Sequence, residues 1–159
     1  MDDPRDYTKD PARSANFIEL GGNAGLYSLN WDYIFYYKEK FKISGRIGAN
    51  VFPKGIYLEQ AYVIENNYIL LKNPHHIELG PGLTLQVKHN PTCLADSIYQ
   101  WENIWFGMFR IGYRYQPQED GFFFRAGITP IFYRNSDCGP EFPVTRQWFW
   151  AGVAFGITF

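Results

Sequence analysis

The chain has 159 residues and a net charge of −1, which fits one domain and argues against a nucleic acid as partner. Aromatic residues make up 19% of it and charged residues also 19%, below the usual quarter or so for charge in soluble domains. No apolar run approaches the ~18 residues of a transmembrane helix, so any membrane crossing must use strands; the mean hydropathy of −0.31 does not oppose this, because alternating faces cancel in the average.

Met1–Asn16 (MDDPRDYTKDPARSAN) is polar and charged and is expected to be a flexible segment, with the folded domain spanning residues 17–159. It contains no apolar signal-peptide core, so if the protein is exported the chain is expected to be the mature form. From there period-two patterns recur, the mark of strands. Phe17–Ala24 sets Ile18 and Leu20 against Glu19 and Asn23. Tyr27–Tyr37 sets Tyr27, Leu29, Trp31, Tyr33, Phe35 and Tyr37 against Ser28, Asn30 and Asp32. Phe41–Val51 sets Phe41, Ile43, Ile47 and Val51 against Lys42, Ser44, Arg46, Gly48 and Asn50. Tyr57–Leu71 fits worst: Tyr62, Ile64, Tyr68 and Leu70 oppose Val63, Glu65, Asn67 and Ile69, and Asn66–Asn67 leave its register open. His76–Val87 separates Ile77, Leu79, Leu83, Leu85 and Val87 from Glu78, Gly80, Gly82, Thr84 and Gln86. Ile104–Tyr115 separates Trp105, Phe109, Ile111, Tyr113 and Tyr115 from Met108, Arg110, Gly112 and Arg114. Gly121–Tyr133 separates Phe122, Phe124, Ala126, Ile128, Pro130 and Phe132 from Phe123, Arg125, Gly127, Thr129 and Ile131. Phe149–Phe159 alternates large apolar residues at odd positions with Trp150, Gly152, Ala154, Gly156 and Thr158.

Eight strands of mostly 10–13 residues predict an all-β fold, an eight-stranded antiparallel up-and-down transmembrane β-barrel. Membrane-crossing strands need about 9–11 residues, and soluble ones average five or six. Lys38–Lys40, Lys72–His75 and Gln116–Asp120 read as short turns, Lys88–Asn103 and Arg134–Arg146 as long outer loops, and Phe159 ends a strand on the periplasmic side. The polar face is rich in glycine and carries both signs of charge. Glu19, Asp32, Glu65 and Glu78 stand against Arg46, Arg110, Arg114 and Arg125, which suits a narrow lumen filled by paired charges. Tyr and Trp gather near strand ends, where amphipathic rings favour a membrane interface.

The stretches FIELGGNAGLYSLNWDY (Phe17–Tyr33), HHIELGPGLTL (His75–Leu85) and RIGYRYQPQEDGFFFRAGITPIF (Arg110–Phe132) resemble the small outer-membrane barrels common in Bacteroidota, distantly similar to the OmpA and OmpX barrels. The C-terminal strand, with Phe155, Ile157 and terminal Phe159, resembles the signal read by the barrel-assembly machinery. The resemblance covers most of residues 17–159. It implies outer-membrane location and fold, with outer-membrane lipid, the assembly machinery and other outer-membrane proteins or lipoproteins as partners. It implies no catalytic residues.

The remaining chemistry is sparse. Cys93 and Cys138 fall in the two long loops, and a disulfide between them and two free thiols are both open readings. His75, His76 and His89 lie near strand ends and are expected to be solvated, since no spacing suggests a metal site and no cofactor is expected. Ser28, Ser44, Ser97 and Thr129 are the main hydroxyls; His89 with Ser97 is the one candidate pair for a lipid-modifying enzyme. The leading expectation is a non-enzymatic outer-membrane barrel, structural or an accessory subunit of a larger complex. The alternatives are that enzyme, a narrow pore, or a soluble lipocalin-like carrier.

Overall fold

The computed structural model describes residues 11–54, 57–89, 101–136 and 149–159. Eight strands account for most of them: β1 (Ser14–Gly21), β2 (Tyr27–Lys38), β3 (Phe41–Lys54), β4 (Tyr57–Leu70), β5 (His75–His89), β6 (Trp101–Tyr115), β7 (Gly121–Ser136) and β8 (Phe149–Thr158). Each pairs antiparallel with its neighbour in sequence, and β1 closes the barrel on β8 from Ala15↔Thr158 to Gly21↔Gly152. Closure leaves no sheet edge to protect. The short connections after β2, β4 and β6, together with Ser14 and Phe159, share one end of the barrel, termed here the turn end; the connections after β1, β3, β5 and β7 leave from the other, the loop end.

Alternation is strict enough to set every strand's faces. In β4, buried Ala61, Val63, Glu65, Asn67 and Ile69 alternate with outward Tyr62, Ile64, Asn66, Tyr68 and Leu70. Asn66 and Asn67 do not disturb it: Glu65↔Gly82 and Tyr68↔Leu79 keep one register across β4 and β5. Gly80 permits this close approach, because a Cβ there would lie 1.9 Å from the Asn66 carbonyl oxygen.

The strand boundaries differ from the sequence reading at several points. β1 begins at Ser14, three residues before the expected start, since Ser14–Asn16 already pair with β2 and Ala15–Asn16 with β8. It ends at Gly21, and Gly22–Ala24 form a 3₁₀ turn, η1, instead of more strand. Gly21 and Gly22 (both φ 72°) and Gly25 (φ 95°) hold backbone conformations that favour glycine, and they fold the segment back into the barrel. A bulge between Ile34 and Tyr36 switches the β2 parity, so Tyr36 is exposed on the wall and Tyr37 is half-buried. β5, β6 and β7 also run past the predicted ends to His89, back to Trp101 and on to Ser136, because backbone pairing continues above the apolar zone through polar residues such as Lys88↔Glu102.

Candidate functional site

The lumen is organised in layers, and strand parity delivers each residue to it. Glu19, Asp32, Arg46, Glu65, Glu78, Arg110, Arg114 and Arg125 all point inward and are buried. The structure brings all eight into one ion-pair network. Arg46 links Glu19 (2.5 Å) to Glu65 (3.0 Å). Arg110 links Glu19 (2.8 Å) to Glu78 (3.0 Å). Arg125 links Glu65 (2.8 Å) to Glu78. Arg114 links Glu78 (3.4 Å) to Asp32 (2.6 Å), which also accepts from the Ser44 hydroxyl (2.9 Å). Four carboxylates thus face four guanidiniums, and each charge taken out of water meets at least one of opposite sign.

Side chains that the sequence reading left outside the network join it. Phe17 and Phe123 share the lumenal parity of Glu19 and Arg125. Their rings stack at 4.9 Å, with the guanidiniums of Arg46 and Arg125 over Phe17 (5.3 and 5.5 Å) and that of Arg114 over Phe123 (5.0 Å). Asn30 accepts from Arg46 Nε (2.9 Å), and Gln116 accepts from Arg114 Nε (2.8 Å). Parity alone finds these residues; which pairs form depends on strand stagger. Asp32, for instance, sits beside Arg46 in register but bonds Arg114, 82 residues away.

Above the network η1 acts as a plug. Gly22, Asn23 and Ala24 are buried, Asn23 Nδ2 donates to Glu65, and Asn50 Nδ2 donates to the Ala24 carbonyl (2.5 Å). Ile104, Phe106 and Met108, backed by Ile131 and Trp150, form an apolar layer on the same side. At the turn end Lys42 donates to Asn73 and meets His76 Nε2 at 3.2 Å, and its ammonium lies 4.7 Å from the Tyr37 ring centroid.

The histidines correct one expectation and refine another. His76 is buried in the lumen, not solvated, because its even position in β5 shares the inward parity of Glu78. His75 is exposed, with Nδ1 2.5 Å from the Tyr113 hydroxyl. His89 is half-buried rather than freely solvated: its ring stacks on Tyr57 (3.6 Å) and meets Trp101 edge-on. Cys93, Cys138 and Ser97 lie outside the described residues. Among the described residues, no group of three or more His, Cys, Asp or Glu side chains is arranged to hold a metal ion.

The outer wall inverts the lumen. Leu29, Ile47, Ile64, Ile128, Val153 and Phe155 are among many large apolar side chains exposed on it. Tyr33, Tyr36, Tyr68 and Tyr113 flank this zone towards the turn end, and Tyr57, Trp101, Trp105 and Tyr133 towards the loop end. Phe155, Ile157 and Phe159 are all exposed on the last strand.

No family model and no curated protein matches the chain. Among solved structures it is similar to the N-terminal β-barrel domain of Pseudomonas aeruginosa OprF, at a TM-score of 0.60 and 12% identity, covering 94% of this chain and 99% of that one. The likeness is one of fold: each chain forms a small closed β-barrel.

Proposed function

We propose that this chain is an integral outer-membrane β-barrel with a sealed lumen, of the small Bacteroidota type that its sequence resembles. Its role is non-enzymatic, either structural or as an accessory subunit of a larger outer-membrane complex. The observation that carries the reading is the inversion of faces. Charged side chains are buried inside, while large aliphatic and aromatic residues cover the outside between two aromatic girdles. Monomeric soluble proteins rarely expose contiguous apolar patches above a few hundred Å². A bilayer makes such a wall favourable, with Tyr and Trp at its two interfaces. A soluble carrier would need the opposite arrangement.

In this reading the turn end and both termini are periplasmic, the loop end faces outward, and Phe155, Ile157 and Phe159 serve the assembly machinery. Partners are outer-membrane lipid and neighbouring outer-membrane proteins or lipoproteins. The crossed network of Arg46, Arg110, Arg114 and Arg125 with its carboxylates, under the η1 plug, argues for a closed barrel over a pore. Extraction of native membranes in mild detergent, followed by native mass analysis, is expected to find the chain with other envelope proteins. A monodisperse lone barrel overturns the subunit role.

A further inference from the structure

The loop end holds a cavity that sealing the lumen does not require. It is open to solvent and has a volume of about 550 Å³, within the usual range of small-molecule sites. Phe106, Ile131 and Trp150 give it an apolar base, and Lys88 and Arg134 stand on its sides. Neither cation makes an ion pair among the described residues. Glu102 faces Lys88 in register, but its carboxylate accepts from the Ser136 hydroxyl. The Arg134 guanidinium lies 5.8 Å from the Phe106 ring centroid, so charge and apolar surface adjoin. The cavity also reaches both faces of β8: Trp150 lines it from the lumenal side, and exposed Phe149 and Ala151 from the wall side.

We propose that this cavity binds a single-chain anionic amphiphile, its headgroup between Lys88 and Arg134 and its hydrocarbon chain on Phe106, Ile131 and Trp150. A small inorganic anion leaves the apolar base unused, and a neutral hydrocarbon makes no use of the half-buried Lys88 and the exposed Arg134. At the ~30 Å³ that a water molecule occupies in the liquid, the cavity holds roughly 18 non-hydrogen groups, which suits a headgroup and one chain of about a dozen carbons. The site rests on the barrel's geometry and not on its cellular location, so its failure leaves the outer-membrane reading standing.

The test uses the full chain in an uncharged detergent with dodecanoate brominated near its chain end, which quenches nearby tryptophan. Saturable quenching is expected, lost in Trp150→Phe and at least ten-fold weaker in the Lys88→Gln/Arg134→Gln double variant. Unbrominated dodecanoate and dodecyl phosphate are the competing arms. Displacement by both assigns the head to shared anionic chemistry, and displacement by dodecanoate alone identifies carboxylate as the source. Quenching that does not saturate, dodecanol competing as well as dodecanoate on the unmodified chain, or unchanged affinity in a folded double variant each overturn the proposal.

Discussion

Replacing Glu65 by glutamine keeps the side chain's size and removes its charge. Glu65 is 2% exposed and accepts from Arg46 at 3.0 Å, from Arg125 at 2.8 Å and from Asn23 of the plug, with Arg110 a further 4.0 Å away. Losing one partner of a buried ion pair costs about 3–5 kcal/mol, because the charge left behind has no water to turn to. Counted instead as two charge-assisted hydrogen bonds at ~1.5–3 kcal/mol each, the loss falls in the same range. Glu65→Gln should therefore shift the unfolding equilibrium by roughly two to four powers of ten, at ~1.4 kcal/mol per power. Urea unfolding of the reconstituted barrel, followed by tryptophan fluorescence, reads this directly. Glu39→Gln is the matched control. It breaks the Glu39–Lys72 pair, whose side chains are 72% and 60% exposed, and exposed pairs contribute little, so its midpoint should not move. If Glu65→Gln unfolds with the same midpoint as the unmodified chain and Glu39→Gln, the network does not hold the lumen and the reasoning fails. Combining Glu65→Gln with Asn23→Ala should not give the simple sum of the two losses, since the two side chains are bonded to each other and share one network.

Gly22→Ala should destabilise the barrel by about 1–3 kcal/mol, because a Cβ there meets the Glu19 carboxylate at 2.7–2.9 Å on a backbone with φ 72°; Gly25→Ala, with open space around its Cβ position, should cost less, and equal unfolding midpoints for the two would contradict the packed plug. Ile64→Arg, mid-strand on the wall and 62% exposed, should lower stability in a bilayer by about 2–4 kcal/mol; a neutral effect in vesicles would argue that this face meets water. Planar-bilayer recordings of the unmodified chain should show no discrete conductance steps, and regular steps would contradict the sealed lumen.

The barrel was legible because a two-residue period needs only local sequence, and one apolar face repeated over eight strands leaves few other solutions. The same parity placed Glu19, Asp32, Glu65 and Glu78 with the four arginines in the lumen. What the period could not give was anything that breaks it. The bulge at Ile34–Tyr36 moves Tyr37 off the wall, and no residue there announces it. The plug was hidden because Phe17–Ala24 continues a strand pattern, although GGNAG is a glycine cluster of the kind that marks a turn. His76 adjoins a turn, which suggests a solvated ring, yet its even position beside Glu78 carries it into the lumen. The cavity at the loop end was beyond sequence altogether, since Lys88, Phe106, Arg134 and Trp150 come from four different strands.

The central claim is that the apolar wall faces hydrocarbon. After replacement of Cys93 and Cys138, spin labels placed singly at Ile18, Ile47, Ile64, Ile128 and Val153 in vesicle-reconstituted protein measure it directly through collisions with oxygen and with a water-soluble nickel chelate. All five should be open to oxygen and shielded from nickel, as expected of sites deep in a bilayer. Labels at these positions that collide freely with nickel would place the wall in water and contradict a membrane-spanning barrel.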